Sequence, residues 1–190
     1  MVGLLGGSFD PVHNGHLIVG QVAAETLGLE TLRLMPAREQ PFKRGLHGAS
    51  AADRAAMLDL AIEGIPALSV ESLELSRPGP SYTVDTLRAL HAREPGTEFT
   101  LLLGADAAAD FPAWHEAAEI PRLARIVVFA RPGSVVPRLP AISGTVEVPA
   151  IDISATEIRR RVREGRSIGG WVPDAVAGYI ASHRLYLGPE

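Results

Sequence analysis

The amino-acid sequence predicts an α/β protein: one doubly wound domain over residues 1–190, with a mostly parallel sheet and helices on both faces. The first observation is length, since 190 residues is close to the size of a single domain. The second is that short apolar runs alternate with segments of helical periodicity, which is typical of parallel strands joined by crossover helices. The third is that Gly and Pro punctuate the short connections between them. In such sheets ligands bind beyond the carboxyl ends of the strands, so functional residues are expected in loops that follow strands.

In the first half of the chain, each predicted element has a local signal. A short apolar run that ends in two glycines predicts a buried strand at 2–6. Apolar residues at helical spacing predict a helix at 15–27, which Gly28 stops. A strand is predicted at 31–35, a loop at 37–49, and a helix from Ser50 as N-cap to about Ile62.

The second half continues the alternation. Strongly apolar runs predict strands at 99–103 and 126–130, with a helical or irregular segment between them. Weaker patterns predict short strands at 67–70 and 145–148, and residues 76–82 are expected to be irregular. Helices are predicted at 83–92, 154–164 and 174–182, the last two each with a capping residue at its start.

Composition excludes several classes of protein. The formal net charge is −4, which argues against a protein that coats nucleic acid through a broad basic face. The chain has no cysteine, so thiol catalysis, disulfides and cysteine-based zinc sites are excluded. No apolar run is long enough to span a membrane and no basic region opens a signal peptide, so a cytoplasmic protein without membrane contact is expected. The sole lysine, Lys43, follows Phe42 rather than glycine, which excludes a G-x-x-x-x-G-K-[ST] phosphate loop.

The loop at 6–16 has the features of a phosphate site. Two glycines end the first strand, so backbone N–H groups can approach an anion closely. His13 and His16 are three residues apart at the start of the next helix, where free N–H groups and the helix dipole favour phosphate. Two alternatives stay open: the histidines are ordinary polar residues at a helix start, or they form a metal site with Asp10.

A second candidate segment is 153–159, which opens a late helix. Ser154 is a good N-cap, and Thr156 and Arg159 share a helical face, so that hydroxyl, backbone N–H and guanidinium donors converge. The alternative is an ordinary capped helix with a solvated basic face, and that interpretation is favoured for Arg160, Arg161 and Arg163.

These two segments resemble the paired signatures of a nucleotidyltransferase superfamily. Gly-Ser-Phe-Asp-Pro-Val-His-Asn-Gly-His at 7–16 resembles [GS]-[ST]-F-D-P-x-H-x-G-H, and Ile-Ser-Ala-Thr-Glu-Ile-Arg at 153–159 resembles I-S-[ST]-T-x-[IL]-R. The resemblance implies a Rossmann-like nucleotidyltransferase fold and catalytic roles for His13, His16 and Arg159. The ATP-binding residues that it implies are Gly7, Ser8, Phe9, His13, His16, Gly104, Asp106, Ile153, Ser154, Thr156 and Arg159.

The segments between the two motifs are similar to those of bacterial nicotinate-mononucleotide adenylyltransferases. The similar stretches are 40–45, 80–83, 104–106, 111–115 and 131–133. The resemblance implies that Trp114 stacks on the pyridine ring, that backbone groups near Thr83 and His115 receive its carboxylate, and that Asp106 binds the adenosine ribose. It leaves open whether Lys43 or Arg44 meets the mononucleotide phosphate. The implied mononucleotide-binding residues are Ser8, Phe9, Lys43, Arg44, Tyr82, Thr83, Trp114 and His115. From the residues alone, Trp114 as a core residue and Asp106 as a helix cap stay open.

The resemblance implies transfer of the adenylyl group from ATP to nicotinate mononucleotide, which releases pyrophosphate. Mg²⁺ is expected through the ATP phosphates, without a dedicated protein metal site. The partners are these two small molecules and no nucleic acid; a homo-oligomer is left open. The alternatives are the same chemistry on nicotinamide mononucleotide or pantetheine phosphate, a cytidylyl transfer, or a non-catalytic nucleotide-binding regulator. A G-x-S-x-G match at Ser167 follows a predicted helix rather than a strand, which argues against a hydrolase.

Overall fold

The computed structural model describes residues 1–38, 48–77 and 79–188, and six parallel strands form its sheet. The strands are β1 (Val2–Gly7), β2 (Thr31–Pro36), β3 (Leu68–Val70), β4 (Phe99–Gly104), β5 (Arg125–Ala130) and β6 (Ile142–Glu147). The helices within the described residues are α1 (Asn14–Leu27), α2 (Ala51–Ile62), α3 (Leu73–Ser76), α4 (Thr83–Arg93), α5 (Ala105–Asp110), α6 (Ile120–Leu123), α7 (Ala155–Arg163) and α8 (Asp174–Ser182). A 3₁₀ turn covers Phe111–Ala113.

The strand order β3-β2-β1-β4-β5-β6 places a switch point in the middle of the sheet. The chain runs outward from β1 to β3, then returns to β4 on the other side of β1 and runs outward again. The central pair of strands is β1 and β4, and its register runs from Val2 opposite Phe99 to Leu5 opposite Leu102. Connections from β1 and β4 leave in opposite directions, which opens a crevice at their carboxyl ends.

The central strands are buried on both faces, as their continuous apolar sequence predicts. Neighbouring residues point to opposite faces: Leu5 packs with α1, α2 and α8, whereas Leu4 packs with α4 and α6. The doubly wound architecture with helices on both faces is therefore confirmed. No helix in the described ranges is long and apolar enough to cross a membrane.

The structure corrects three local predictions. β6 begins at Ile142, three residues before the predicted start, and excludes Val148, because an edge strand with Ser143 and Gly144 near its start has a weak apolar signal. The short helix α3 was not predicted, since four residues carry little periodicity. The predicted cap of α8 is absent: Pro173 precedes Asp174, and no side chain caps the helix.

Candidate active site

Two adjoining cavities lie at the carboxyl ends of the central strands. The first has a volume of about 1110 Å³ and the second about 410 Å³. They meet at the ends of β1 and β4, which is the switch point of the sheet. The residues that line both cavities are Leu5, Gly6, Gly104, Asp106, Ala107 and Phe129.

The first cavity brings the two sequence motifs together. Of the predicted ATP-binding residues, it is lined by Ser8, His13, His16, Gly104, Asp106, Ile153, Ser154, Thr156 and Arg159. Two others lie elsewhere: Gly7 lines the second cavity, and Phe9 lines neither. The Phe9 side chain is 1% exposed and meets the His16 ring edge-on, so it supports the site from within the core.

The histidine pair sits at the start of α1, where His13 is the N-cap residue. The backbone N–H of His13 donates to Nδ1 of His16 at 3.2 Å, which places the proton of a neutral His16 on Nε2. Burial lowers the pKa of His13 to about 4, and burial together with His13 lowers the pKa of His16 well below its usual value. Both rings are therefore neutral at pH 7, and within the described part of the chain Nδ1 of His13 is buried without a partner.

Close packing of this pair explains the glycine between the two histidines. A β-carbon at Gly15 would lie 3.1 Å from Nδ1 of His13 and 3.5 Å from Ile151. The helix start can therefore approach the His13 ring only because residue 15 has no side chain.

Helix α7 presents the second motif to the first cavity. Oγ of Ser154 accepts a hydrogen bond from the backbone N–H of Glu157 at 3.2 Å, so the predicted N-cap is confirmed. Arg159 donates from Nη1 to the carbonyl oxygen of Asp10 at 2.8 Å, which ties the second motif to the first. Arg160 pairs instead with Glu157 and Glu164 on the exposed face, away from the cavity.

The carboxylate of Asp10 is occupied by hydrogen bonds within the protein, which argues against the metal-site alternative. Its carboxylate accepts hydrogen bonds from the N–H groups of Gly48 and Ala49 at 2.7 and 3.1 Å and from Oη of Tyr186 at 2.8 Å. Among the residues that the structure describes, no group of three or more His, Asp or Glu side chains could hold a metal ion.

Arg54 supports the loops around the site, and sequence reasoning missed it. Its side chain is buried in the interior, and it donates to the carbonyl oxygens of Ser8 at 2.7 Å and Ala37 at 2.8 Å. It thereby joins the loops that follow β1 and β2. The sequence feature that could have identified Arg54 is its position on the apolar face of α2, in line with Leu58 and Ala61.

The second cavity collects the predicted mononucleotide-binding residues that follow β3 and β4. It is lined by Tyr82, Thr83, Trp114 and His115, whereas Lys43 and Arg44 lie outside the described residues. Thr83 is the first residue of α4, so its N–H has no partner within the helix. Trp114 is partly buried against Phe111 and also lines the cavity, so it serves both the core and the site.

Three further residues with ionisable side chains line the cavities. Asp106 is the second residue of α5, whose N-cap is Gly104, so the helix-cap alternative for Asp106 is wrong. Glu74, which sequence reasoning missed, is a buried carboxyl that accepts a hydrogen bond from Oγ1 of Thr86 at 2.8 Å, and burial raises its pKa. Arg131, which belongs to the similar stretch 131–133 but was given no role from the sequence, follows β5 and lines the first cavity.

The Ser167 alternative gains no support. Ser167 lies in the turn after α7, not between a strand and a helix, and its Oγ accepts from the N–H of Gly169 at 3.2 Å. His183 bonds to Ser182 and to the carbonyl oxygen of Tyr179, not to Ser167.

The fold and the paired motifs define a nucleotidyltransferase. The sequence profile of the cytidylyltransferase-like family matches residues 4–161. A protein of Roseiflexus sp. (strain RS-1) is 46% identical over 97% of both chains. A protein of Thermus thermophilus is 45% identical over 97% of this chain and 98% of its own. Both are named "probable nicotinate-nucleotide adenylyltransferase". The chain belongs to the nicotinate-nucleotide adenylyltransferases of the cytidylyltransferase-like family.

A solved structure supports the fold. The Plasmodium falciparum nicotinic acid mononucleotide adenylyltransferase complexed with NaAD matches with a TM-score of 0.81. That match covers 97% of this chain and 96% of the other chain at 19% identity. At this identity the similarity concerns the fold alone.

Proposed function

We propose that the first cavity binds ATP and the second binds nicotinate mononucleotide, with adenylyl transfer where the cavities meet. The activity is the formation of nicotinate adenine dinucleotide in NAD biosynthesis, as in the family. One observation carries the assignment of the cavities. Both motif segments line the larger cavity, whereas Tyr82, Thr83 and Trp114 line the smaller one beside it.

The reaction is a displacement at the α-phosphorus of ATP. A phosphate oxygen of the mononucleotide forms a bond to that phosphorus, while the bond from the phosphorus to the bridging oxygen of the β-phosphate breaks. Pyrophosphate leaves with the electron pair. The attacking phosphate is already ionised at neutral pH, so the protein contributes position and charge stabilisation rather than a base.

Neutral donors and a cationic side chain from the second motif act together at the first cavity. His13 and His16 are neutral, so they offer N–H groups to the ATP phosphates, and His16 offers its Nε2–H. Arg159 adds a permanent positive charge and Thr156 a hydroxyl, both from the first turns of α7. Asp106 is placed to accept hydrogen bonds from ribose hydroxyls at the border of the cavities.

The second cavity distinguishes the acceptor. The indole of Trp114 offers a face for the pyridine ring, and the N–H groups near Thr83 and His115 offer donors for its carboxylate. A carboxylate accepts from every donor, whereas an amide would turn an NH₂ group toward one of them. Acid is therefore preferred to amide.

A nucleotidyltransferase typically needs a divalent cation. The side chains at the first cavity fit phosphate oxygens better than a bare cation, since the described residues form no metal-binding cluster and Asp10 is engaged by backbone N–H groups. Mg²⁺ would therefore be held by the ATP phosphates rather than by a protein site, and it would supply neutralisation of part of their charge.

The direct test supplies purified protein with ATP and Mg²⁺ and compares nicotinate mononucleotide, nicotinamide mononucleotide and pantetheine phosphate. We expect pyrophosphate and dinucleotide in equal amounts, with the highest kcat/KM for nicotinate mononucleotide. A reaction without an acceptor and one with CTP in place of ATP are the controls. Folded protein that binds ATP but forms no product would indicate a nucleotide-binding regulator instead, and faster turnover of another acceptor would overturn the acceptor assignment.

A further inference from the structure

Tyr186 lies behind the first cavity, in the segment that follows α8, and lines neither cavity. Its side chain is 7% exposed. Its backbone φ is 64° and that of Arg184 is 53°, in the left-handed region that residues with a β-carbon rarely adopt. The turn at Arg184 ends α8, where the N–H of Leu185 donates to the carbonyl oxygen of Ile180. The turn at Tyr186 then directs the phenol inward.

The phenol contacts two segments that border the first cavity. Its Oη donates a hydrogen bond to Oδ1 of Asp10 at 2.8 Å. Its ring lies against Gly48, where a β-carbon would come within 2.9 Å of Cδ1 of Tyr186. Burial and the negative charge of Asp10 raise the pKa of Tyr186, so the hydroxyl remains a donor at neutral pH.

Asp10, which Tyr186 contacts, is in turn hydrogen-bonded to Arg159 of the second motif. Asp10 accepts from the N–H of Gly48 at 2.7 Å through its carboxylate and from Nη1 of Arg159 at 2.8 Å through its carbonyl oxygen. A β-carbon at Gly48 would also lie 3.3 Å from Cδ of Arg159. Asp10, Gly48 and Arg159 all line the first cavity. Tyr186 therefore contacts Asp10 and Gly48, which line the first cavity, without lining the cavity itself.

Attachment of the C-terminal helix does not depend on this hydroxyl. Oη of Tyr179, in α8, donates to Oδ1 of Asp53 in α2 at 3.0 Å. Val176 and Ile180 of α8 are buried in the core on the same face of the sheet. Since α8 is already held by these contacts, the hydrogen bond of Tyr186 acts on Asp10 rather than on the docking of the helix.

We infer that Tyr186 is a positioning residue for adenylyl transfer, because it holds Asp10 and, through Asp10, the guanidinium of Arg159 at the first cavity. The inference rests on the proposed function, in which Arg159 assists displacement at the α-phosphorus. Because the connection reaches the first cavity only, loss of the hydroxyl affects ATP and the chemical step while sparing the affinity for the mononucleotide.

The test compares Tyr186→Phe with Tyr179→Phe, a matched control that removes another hydroxyl bound to a carboxylate in the same C-terminal region. We expect Tyr186→Phe to lower kcat/KM for ATP by about tenfold to a hundredfold, with the KM for nicotinate mononucleotide within about twofold of the parent. Tyr179→Phe should leave both constants within about twofold. The fraction of folded protein is measured by circular dichroism at the assay temperature. Equal kinetics in the two variants, or a loss that matches the unfolded fraction, would overturn the inference.

A double-mutant cycle tests the connection through Asp10. If Tyr186 acts through Asp10, Tyr186→Phe should add little to the loss caused by Asp10→Ala, which removes the acceptor of the hydroxyl, with both variants compared as folded protein. Losses that multiply independently would overturn the inference. An inactive parent would contradict the proposed function instead. Isothermal titration with ATP then still tests Tyr186, and we expect weaker binding for Tyr186→Phe but not for Tyr179→Phe.

Discussion

The imidazole rings of His13 and His16 are stacked at the start of α1, with 3.6 Å between their centroids. Two protonated rings at this distance would repel each other, and burial disfavours the charged form of each ring, so the pair stays neutral near pH 7. Among the described residues that line the first cavity, Arg159 and Arg131 therefore supply the positive charge, and the histidines offer oriented N–H donors.

Acid should destabilise the protein through His13. Burial lowers its folded-state pKa from 6.5 to about 4, so between these values the unfolded chain binds a proton that the folded chain does not. The free energy of unfolding should therefore fall as the pH falls through this window, by up to about 3 kcal/mol from this group, and His13 adds no pH dependence above it. Urea unfolding at a series of pH values measures the decline. His13→Gln should reduce the decline, and the remainder comes from His16, whose pKa is also lowered. The control His183→Gln, at an exposed position, should retain the full decline; equal declines in the two variants would contradict the assignment.

Arg159 and Arg160 are neighbours on α7 that face different surroundings, which makes them a matched pair. Arg159→Ala should lower kcat by about 10²–10³, the usual effect of removing one preorganised transition-state donor. Arg160→Ala should change kcat by less than about twofold, since this side chain pairs with Glu157 and Glu164 on the exposed face. Pyrophosphate release under saturating substrates measures both, and similar losses in the two variants would show that the charge of α7 matters rather than the position of Arg159.

Local signals in the sequence predicted most of the fold. The central strands were predictable because buried parallel strands are continuous apolar runs, and α2 and α7 because Ser50 and Ser154 are N-caps that the structure confirms. Both motifs line one cavity because each follows a strand or opens a helix at the same edge of the sheet. The supporting contacts were not predictable. The bond from Tyr186 to Asp10 joins residues 176 positions apart, and no local pattern indicates such a partner.

Arg54 lines neither cavity, but its substitution should nevertheless lower the free energy of unfolding. Arg54→Met keeps an unbranched apolar stem but leaves the carbonyl oxygens of Ser8 and Ala37 without these donors, so the free energy of unfolding should fall by about 3 kcal/mol. Arg122, whose side chain is 78% exposed, provides the control, and Arg122→Met should change stability by less than about 0.5 kcal/mol. Urea unfolding at neutral pH compares the variants. An unchanged midpoint for Arg54→Met would show that water replaces the guanidinium.

In the proposed function Trp114 holds the acceptor, and its indole lines the second cavity while packing on Phe111 at 5.7 Å between ring centroids. Stacking on the pyridinium of the mononucleotide supplies on the order of 1–2 kcal/mol, and the ring is nearly the same in the acid and the amide. Trp114→Ala should therefore raise the KM for both mononucleotides by a similar factor, about tenfold, while the KM for ATP is unchanged. The ratio of kcat/KM for acid over amide should also persist, because that selectivity depends on backbone donors near Thr83 and His115.

Trp114→Phe is the matched variant, since it keeps an aromatic face and should recover part of the lost affinity for both acceptors. Thermal unfolding accompanies the kinetics, because Trp114 also packs on the part of the core that contains Phe111 and Leu87. A variant that loses the preference for the acid but keeps its affinity would show that Trp114 selects the acceptor rather than stacking on it. A variant that unfolds at the assay temperature would show that packing on Phe111 is its main role. Parallel losses for both mononucleotides in folded protein, with ATP unaffected, are expected only if the indole meets the pyridine ring.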